Sequence, residues 1–287
     1  MTAPAFTLSQ PRRRTTATVF ASPHSGRAYP ESFMTATILT EAQIRSSEDA
    51  FVDDLFAGAV DHGAPLLAAW APRAFLDLNR GADELDPAVI SGLGRGAHNP
   101  RIASGLGVIP RVVSNGRPIY RGKISLSEAH GRIRDHWRPY HDRLQALMDD
   151  AVTTFGEAIL IDCHSMPHEA LESIGPLGGA RPDVVLGDRF GASAAPEVVD
   201  RIEAAFAEAG FKVARNMPFA GAYICQHYGR PARQRHAVQV EINRALYLDE
   251  ATIRASADYA ALKSILDGVI AALSDIGRPS ERPVAAE

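Results

Sequence analysis

Two histidines stand where apolar stretches of the chain give way to turns. His24 follows TATVFASP and His164 follows EAILIDC, and a serine succeeds each of them. A histidine at the carboxyl end of a strand is well placed to bind a metal ion, but a loop histidine hydrogen-bonded to a carboxylate has the same pattern. For either histidine alone the second interpretation is favoured. Together, in matching strand–His–Ser–turn contexts, they favour one shared site.

A metal site built on two histidines needs a further ligand. Catalytic zinc normally takes three protein ligands and leaves one position for water. Asp49 and Asp53 lie four residues apart in a stretch with helical apolar spacing, so both could project from one helix face. Because Glu48 and Asp54 flank them, a solvated acidic face explains the pattern equally well. Two histidines and a carboxylate suit zinc, and also iron, cobalt or manganese.

Glu241 is a carboxylate inside the apolar segment HAVQVEINR. Such a group is seldom fully buried without a partner. Either it pairs with an arginine, or it acts as a general base at a strand end. Burial would raise its pKa and suit it to proton transfer near neutral pH.

Cationic and amide side chains bracket the segment RAFLDLNR. Arg73 opens it, and Asn79 and Arg80 close it. Arginine can bind a carboxylate with two parallel hydrogen bonds, and asparagine adds an oriented amide. The alternative is a set of surface arginines. Polar candidates with weaker individual support are Arg121, Arg132, His227 and Arg230.

Several other chemistries have no motif in this sequence. It lacks GxSxG, a P-loop, the GxGxxG fingerprint, HExxH and CxxC. Cys163 and Ser165 flank His164, but adjacent residues of a strand point to opposite faces and cannot readily pair. A thiol or hydroxyl nucleophile activated by His164 is therefore not favoured.

The elements that must position these residues alternate between strands and helices. This alternation predicts one α/β domain over 15–277, with a mostly parallel sheet and helices on both faces. Residues 1–14 and 278–287 are expected to fray, and the Gly-, Pro- and Asn-rich stretch 81–119 to form loops. Predicted strands are TATVFASPHSG, PLLAAW, AFLDLN, EAILIDCHSMP, FKVARNMPF, AYICQHY and HAVQVEINR. Predicted helices cover 41–63, 124–156 with a kink at Pro139, 196–210 and 252–276.

The composition is that of a globular protein. The chain has 287 residues, 46% of them hydrophobic, and a formal net charge of −4, which does not indicate binding to nucleic acid. Two separated cysteines indicate a reducing compartment. The N-terminus has no signal-peptide pattern, and no stretch approaches the ~18 apolar residues of a membrane helix. A cytoplasmic location is therefore expected.

Eight motifs in order connect the chain to a known family. Between about Val19 and Glu250 it contains SPHSGRAYP, EDAFVDDLF, RAFLDLNR, IYRGKIS, WRPYHDRL, LIDCHSMP, AGAYICQHYGRP and HAVQVEINRALYLDE. In these motifs the sequence resembles the N-formylglutamate amidohydrolases, which are related in design to aspartoacylase and the zinc carboxypeptidases. The resemblance implies a single α/β domain with a mixed sheet between helices on both faces. This fold is like that of the zinc carboxypeptidases and belongs to the phosphorylase/hydrolase-like type.

The resemblance also assigns roles to the candidate residues. It implies zinc held by His24 and His164, with Glu241 as the general base. Asn79 and Arg80 are similar to the pair that holds the substrate carboxylate in aspartoacylase-like enzymes, and Arg73 to the arginine that polarises the scissile carbonyl. Arg121, Arg132 and His227 are expected to add contacts to the substrate.

The third metal ligand departs from the carboxypeptidase pattern. Those enzymes take two ligands from HxxE, but here Arg27 stands three residues after His24 and cannot bind zinc. The formylglutamate family shares this departure and carries an acidic DxxxD-type helix instead. The resemblance therefore favours Asp53 as the third ligand, with Asp49 as the second choice.

The implied reaction is hydrolysis of a small acidic N-acyl amino acid. N-formylglutamate would give formate and L-glutamate, in the breakdown of histidine. The alternatives are a zinc hydrolase for another N-acyl amino acid or a peptide, an inactive relative that binds an acidic ligand, and a structural α/β protein whose polar groups are merely satisfied. The sequence does not determine the oligomeric state.

Overall fold

A mixed sheet, with seven strands in the part of the chain that the structure describes, is the centre of the fold. The computed structural model describes residues 4–94, 99–172 and 181–279. The strands of the sheet are β1 (Phe6–Ser9), β2 (Thr18–Ser22), β3 (Leu66–Ala69), β4 (Ala158–Met166), β5 (Val184–Gly187), β6 (Val213–Arg215) and β7 (Arg235–Asn243). Their spatial order is β1-β3-β2-β4-β7-β5-β6. Strands β3, β2, β4 and β7 run parallel, while β1 and β5 each pair antiparallel with their neighbours β3 and β7.

Helices cover both faces of this sheet. Leu144 and Ile224, from two of the helices, pack on one face with Leu160 of β4, while Phe206 packs on the other face with Ile161. The predicted mixed α/β sheet with helices on both faces is thus confirmed. No helix in the described ranges is long and apolar enough to cross a membrane. The helices are α1 (Glu31–Ala36), α2 (Glu41–Arg45), α3 (Val52–Leu55), α4 (Pro100–Ala103), α5 (Leu126–Arg132), α6 (Arg138–Phe155), α7 (Pro196–Glu208), α8 (Tyr223–Tyr228) and α9 (Tyr259–Ile276); a small separate sheet joins β8 (Leu248–Asp249) to β9 (Arg254–Ala255).

The central strands β4 and β7 are buried almost throughout and lie side by side over nine residue pairs. Because side chains alternate along a strand, Ile161 and Cys163 of β4 point into the apolar layer under α7 and α9. Asp162 and His164 therefore point to the opposite face. The pairing aligns His164 with Glu241 of β7, so both side chains lie on the same face of the sheet.

The predicted helix over 41–63 is broken in the structure. Helix α2 ends at Arg45, α3 covers only Val52–Leu55, and a 3₁₀ turn follows at Ala57–Val60. Between α2 and α3, Phe51 has a φ of 65°, in the left-handed region. A non-glycine residue with positive φ interrupts a right-handed helix, so the chain changes direction between Asp49 and Asp53.

Three further segments differ from the prediction. AYICQHY contains helix α8 where a strand was predicted, since a short apolar run does not by itself separate the two. AFLDLN forms turns, not a strand. Residues 6–9, expected to fray, form the edge strand β1, in which Phe6 and Leu8 pack against the core. Of the C-terminal tail, 280–287 lie outside the described residues.

The long helix predicted over 124–156 contains a widened turn. A π-helical segment, Ile133–Trp137, joins α5 to α6. Pro139, in the first turn of α6, has no N–H to donate and its ring would crowd the carbonyl four residues earlier. The wider turn at this point takes the place of the predicted kink. It brings Trp137 over Arg80, whose carbonyl oxygen accepts a 2.9 Å hydrogen bond from the indole N–H.

Candidate metal centre and active-site cavity

Three buried side chains converge at the carboxyl end of the central strands. One potential ligand atom from each of His24, Asp49 and His164 lies within 4.8 Å of the others. Oδ2 of Asp49 is 3.5 Å from Nδ1 of His24 and 2.9 Å from Nδ1 of His164. Nδ1 of His24 is buried and has no hydrogen-bond partner among the described residues. An unpaired buried nitrogen beside a carboxylate oxygen and a second imidazole fits a divalent metal ion.

Local chain geometry brings these three groups together. His24 follows β2, and His164 lies near the end of β4. The backbone N–H of Asp49 donates to the carbonyl oxygen of His24 at 3.1 Å, so the two residues are tied directly. A Cβ on Gly26 would lie 2.1 Å from the carbonyl oxygen of Ala71. Glycine is therefore required where the His24 loop crosses the segment that leads to the arginines.

Asp53, the preferred third ligand in the sequence analysis, lies outside this cluster. Its side chain is 26% exposed, and its Oδ2 lies 3.8 Å from Nη2 of Arg27. The reversal at Phe51 separates it from Asp49, so the two carboxylates do not share a helix face. Of the two carboxylates, the structure thus brings Asp49, and not Asp53, beside the histidines.

Each of the two histidines has a second carboxylate behind it. Nε2 of His24 lies 2.7 Å from Oδ1 of Asp77, and Nε2 of His164 lies 3.1 Å from Oδ1 of Asp162. Metal-binding histidines commonly donate their other ring N–H to such a group, which fixes the tautomer and the ring orientation. With Nε2–H of His24 directed at Asp77, the lone pair of Nδ1 points toward Asp49 and His164.

The charges of this cluster shift the pKa values of its members. Burial alone would raise the pKa of Asp77, but Arg73, His24 and Arg80 bring it well below its usual range. Burial would lower the pKa of His164, but the carboxylates of Asp162 and Asp49 raise it well above the usual value. The site is therefore an ionic network within the protein interior.

Glu241 lies beside the cluster on the same face of the sheet. Its Oε1 accepts a 2.8 Å hydrogen bond from Nε2 of Gln239. Burial raises its pKa to about 7; Asp49 acts in the same direction, while His164 and Arg73 oppose it. A carboxyl group with this pKa can both take up and release a proton near neutral pH.

A cavity of about 350 Å³ opens above these residues, and Arg73 and Arg80 form part of its wall. Nε of Arg73 donates to Oδ2 of Asp77 at 3.0 Å, and 28% of the Arg73 side chain is exposed. Arg80 is more deeply buried and donates to the carbonyl oxygens of Leu106 and Asn79 at 2.9 and 2.7 Å. Two guanidinium groups therefore border a cavity that the carboxyl group of Glu241 also lines.

Asn79 also lines the cavity, but its amide is engaged within the protein. Its Oδ1 accepts a 2.8 Å hydrogen bond from the backbone N–H of Ile224 in α8. Its Nδ2 lies 3.3 Å from Nε2 of His164 and 3.4 Å from Oε1 of Gln239. This geometry ties Asn79 to the face of the sheet that carries His164 and Gln239.

Four other polar candidates do not line the cavity. The Arg132 side chain is buried elsewhere, over the ring of Phe75 at 4.0 Å, and donates to Tyr120. The guanidinium packs against aromatic rings away from the cavity, so the structure does not support the predicted contact with the substrate. The other three are exposed on the outer surface: Arg121, His227 and Arg230.

Sequence reasoning missed several polar residues of the site. Asp162 and Gln239 lie two residues before His164 and Glu241 in their strands, so the two-residue period of a strand could have placed them on the same face. Asp77 lies in the DLNR motif, two residues before Asn79. No local sequence pattern identifies Arg244 as a site residue. It follows β7, and its contact with Asp49 joins residues that are far apart in the sequence.

The chain has clear similarity to known proteins. The family model described as N-formylglutamate amidohydrolase matches residues 16–248. An N-formylglutamate deformylase from Pseudomonas aeruginosa is 32% identical over 240 residues, which cover 81% of this chain and 82% of the relative. A deformylase of the same name from Pseudomonas putida is 30% identical with the same coverage.

Solved structures agree with the sequence comparisons. The crystal structure of N-formylglutamate amidohydrolase from Ralstonia eutropha JMP134 superposes with a TM-score of 0.88 at 35% identity, over 95% of this chain and 98% of that one. A gene product from Agrobacterium tumefaciens shares the fold alone, with a TM-score of 0.63 at 15% identity over 96% of both chains. The family match, the relatives and the shared structure lead to one conclusion: this chain belongs to the N-formylglutamate amidohydrolase family.

Proposed function

We propose that this protein hydrolyses the amide of N-formyl-L-glutamate, giving formate and L-glutamate, and that it depends on a zinc ion. One observation carries the proposal: the ligand atoms of His24, Asp49 and His164 lie within 4.8 Å of one another, next to the buried base Glu241. The names of the two Pseudomonas relatives support the choice of substrate. The resemblance of the sequence to this family supports a role in histidine breakdown, which we place in the cytoplasm.

His24, Asp49 and His164 would hold the metal. Two histidines and a carboxylate form a ligand set used by catalytic zinc, and the carboxylate of Asp77 behind His24 is an expected support. A bound zinc ion would supply Lewis acidity and lower the pKa of a water molecule at the site.

Glu241 would carry the proton during the reaction. Its pKa of about 7 lets it remove a proton from the attacking water and later deliver that proton to the nitrogen of the leaving glutamate. Gln239 holds one of its oxygens at 2.8 Å, so the carboxylate is oriented before the substrate arrives. The remaining oxygen is the one that would exchange the proton.

The arginines would orient the substrate. N-formylglutamate carries two carboxylates, and guanidinium groups bind such groups through paired hydrogen bonds. Arg80 is proposed to hold a substrate carboxylate, with Asn79 shaping the wall behind it. Arg73, which is fixed through Asp77, is proposed to stabilise the negative charge that develops on the formyl oxygen.

The decisive experiment measures formate release from N-formyl-L-glutamate by the purified protein. It compares the protein as isolated, after chelation, and after zinc is added back. The proposal expects activity that chelation removes and zinc restores. Protein that binds zinc but releases no formate would refute the substrate, and a panel of N-acetyl and N-succinyl glutamates and aspartates would then identify it. Protein that binds no metal would refute the metal-dependent mechanism.

A further inference from the structure

Arg244 is a buried arginine that the proposed mechanism leaves without a role. We propose that Arg244 is a positioning residue that reserves one oxygen of Asp49, so that Asp49 offers a cation only its other oxygen. This inference rests on the proposed function, because it concerns the same metal site.

The two oxygens of Asp49 have separate partners. Oδ1 accepts a 2.9 Å hydrogen bond from Nη2 of Arg244. Oδ2 faces the ring nitrogens of His164 and His24, at 2.9 and 3.5 Å. The carboxylate is therefore divided between an arginine on one side and the two histidines on the other.

The position of Arg244 is fixed by several other contacts. Its Nε donates to Oγ of Ser165 at 3.1 Å, and its Nη2 also approaches the carbonyl oxygen of Ser165 at 3.4 Å. Its Nη1 donates to the carbonyl oxygen of Ser46 at 3.2 Å. With the bond to Asp49 this makes four contacts to described residues for a group with five N–H donors. A guanidinium held in this way cannot turn aside without breaking several hydrogen bonds.

These contacts connect the parts of the chain that carry the site. Ser165 directly follows His164, Ser46 lies in the turn that leads to Asp49, and Arg244 itself stands three residues after Glu241. The side chains of Arg244 and Asp49 are only 5% and 1% exposed. The ion pair is thus shielded from solvent. Removing one partner of such a buried pair is strongly destabilising, because the other charge then stays buried without compensation.

The consequence concerns how many protein atoms reach the metal. A carboxylate with both oxygens free can bind through either one or both of them. Because Arg244 occupies Oδ1, the protein would supply two nitrogens and one oxygen. Three protein donors are the number that leaves an open position for water in catalytic zinc sites.

Cobalt(II) provides a spectroscopic test of this inference. In place of zinc, four-coordinate cobalt absorbs visible light strongly, and added ligands weaken that absorption. Wild-type protein is expected to show the strong absorption. In R244M, Asp49 would be free to use both oxygens, and the absorption is expected to decrease. R244Q is too short to restore the contact and serves as the second variant if R244M does not fold or does not bind cobalt.

The matched control is R27M. It removes the arginine that lies next to Asp53, a carboxylate outside the candidate metal cluster. Its cobalt spectrum is expected to equal that of the wild type. The inference is overturned if wild-type protein shows only weak absorption, or if R244M keeps the wild-type spectrum. A higher KM for N-formyl-L-glutamate with an unchanged spectrum would likewise overturn it, because Arg244 would then bind substrate. Failure of wild-type protein to bind cobalt would instead count against the proposed metal-dependent function.

Discussion

Lowering the pH should destabilise the native protein through His141. This histidine lies in α6 and is buried, with 5% of the residue exposed. Its Nε2 donates to the carbonyl oxygen of Leu78 at 2.9 Å, and its Nδ1 lies 2.9 Å from the hydroxyl of Tyr228. Burial, aided by the nearby His227, lowers the pKa of His141 to about 3. The native protein therefore keeps this ring neutral at pH values where an exposed histidine takes up a proton.

The size of the effect follows from the two pKa values. In the unfolded chain His141 should have a pKa of ~6.5. Below that pH the unfolded state binds a proton that the native state does not, so stability falls as the pH falls. With a native pKa of about 3, the loss at pH 5 is about 2 kcal/mol, and at pH 7.5 it is close to zero.

Urea unfolding of wild-type protein and H141Q at pH 7.5 and pH 5 tests this reasoning. A chelator is present throughout, so that release of metal does not contribute. Glutamine does not titrate, and its amide can still donate to Leu78. On going to pH 5, wild-type protein should lose about 2 kcal/mol more of its free energy of unfolding than H141Q loses. Equal losses in the two proteins would refute a neutral, buried His141.

Three other predictions concern the site. E241Q should lower kcat by about 10²- to 10⁴-fold, because the proton carrier is removed. Its zinc content, measured by elemental analysis, should stay at the wild-type level. Formate release at the wild-type rate would show that Glu241 is not the base. D49N should lose tightly bound zinc, while D53N should keep it, since Asp49 lies with both histidines in the candidate metal site and Asp53 does not. The reverse result would restore Asp53 as the ligand. R73M should reduce kcat by about 10²- to 10³-fold, because it removes a hydrogen-bond donor to the developing oxyanion. If steady-state kinetics show a change in KM alone, Arg73 instead binds the substrate in the ground state.

The sequence is most informative where long segments are both apolar and regular. Strands β4 and β7 are predictable because each is a long apolar run bounded by turns, and the structure has both as nine-residue strands. The rule that ligands bind at the carboxyl ends of strands likewise singles out His24 and His164 from the sequence alone. The structure brings both into the cluster, with Glu241 beside them.

The remaining features depend on contacts that leave no local pattern. Phe51 adopts a left-handed conformation without the glycine that usually marks one. The apolar spacing of 41–63 therefore predicts one continuous helix, which does not separate Asp49 from Asp53. The DLNR segment has the pattern of a strand, but it is held as turns by residues far along the chain, namely Trp137 and His141. Only the packed tertiary structure reveals such long-range support.

The alignment of β4 with β7 also bears on how the chain selects its native fold. Strands that are buried on both faces are near-continuous apolar runs, so they lack the alternation of apolar and polar residues that distinguishes one face from the other. A shift of β7 by one residue would turn Glu241 and Gln239 into the apolar layer under α7 and α9, where neither would find its partners. Burying a carboxylate and an amide there would cost several kcal/mol. Glu241 and Gln239 thus also make the misaligned sheet less stable than the native one.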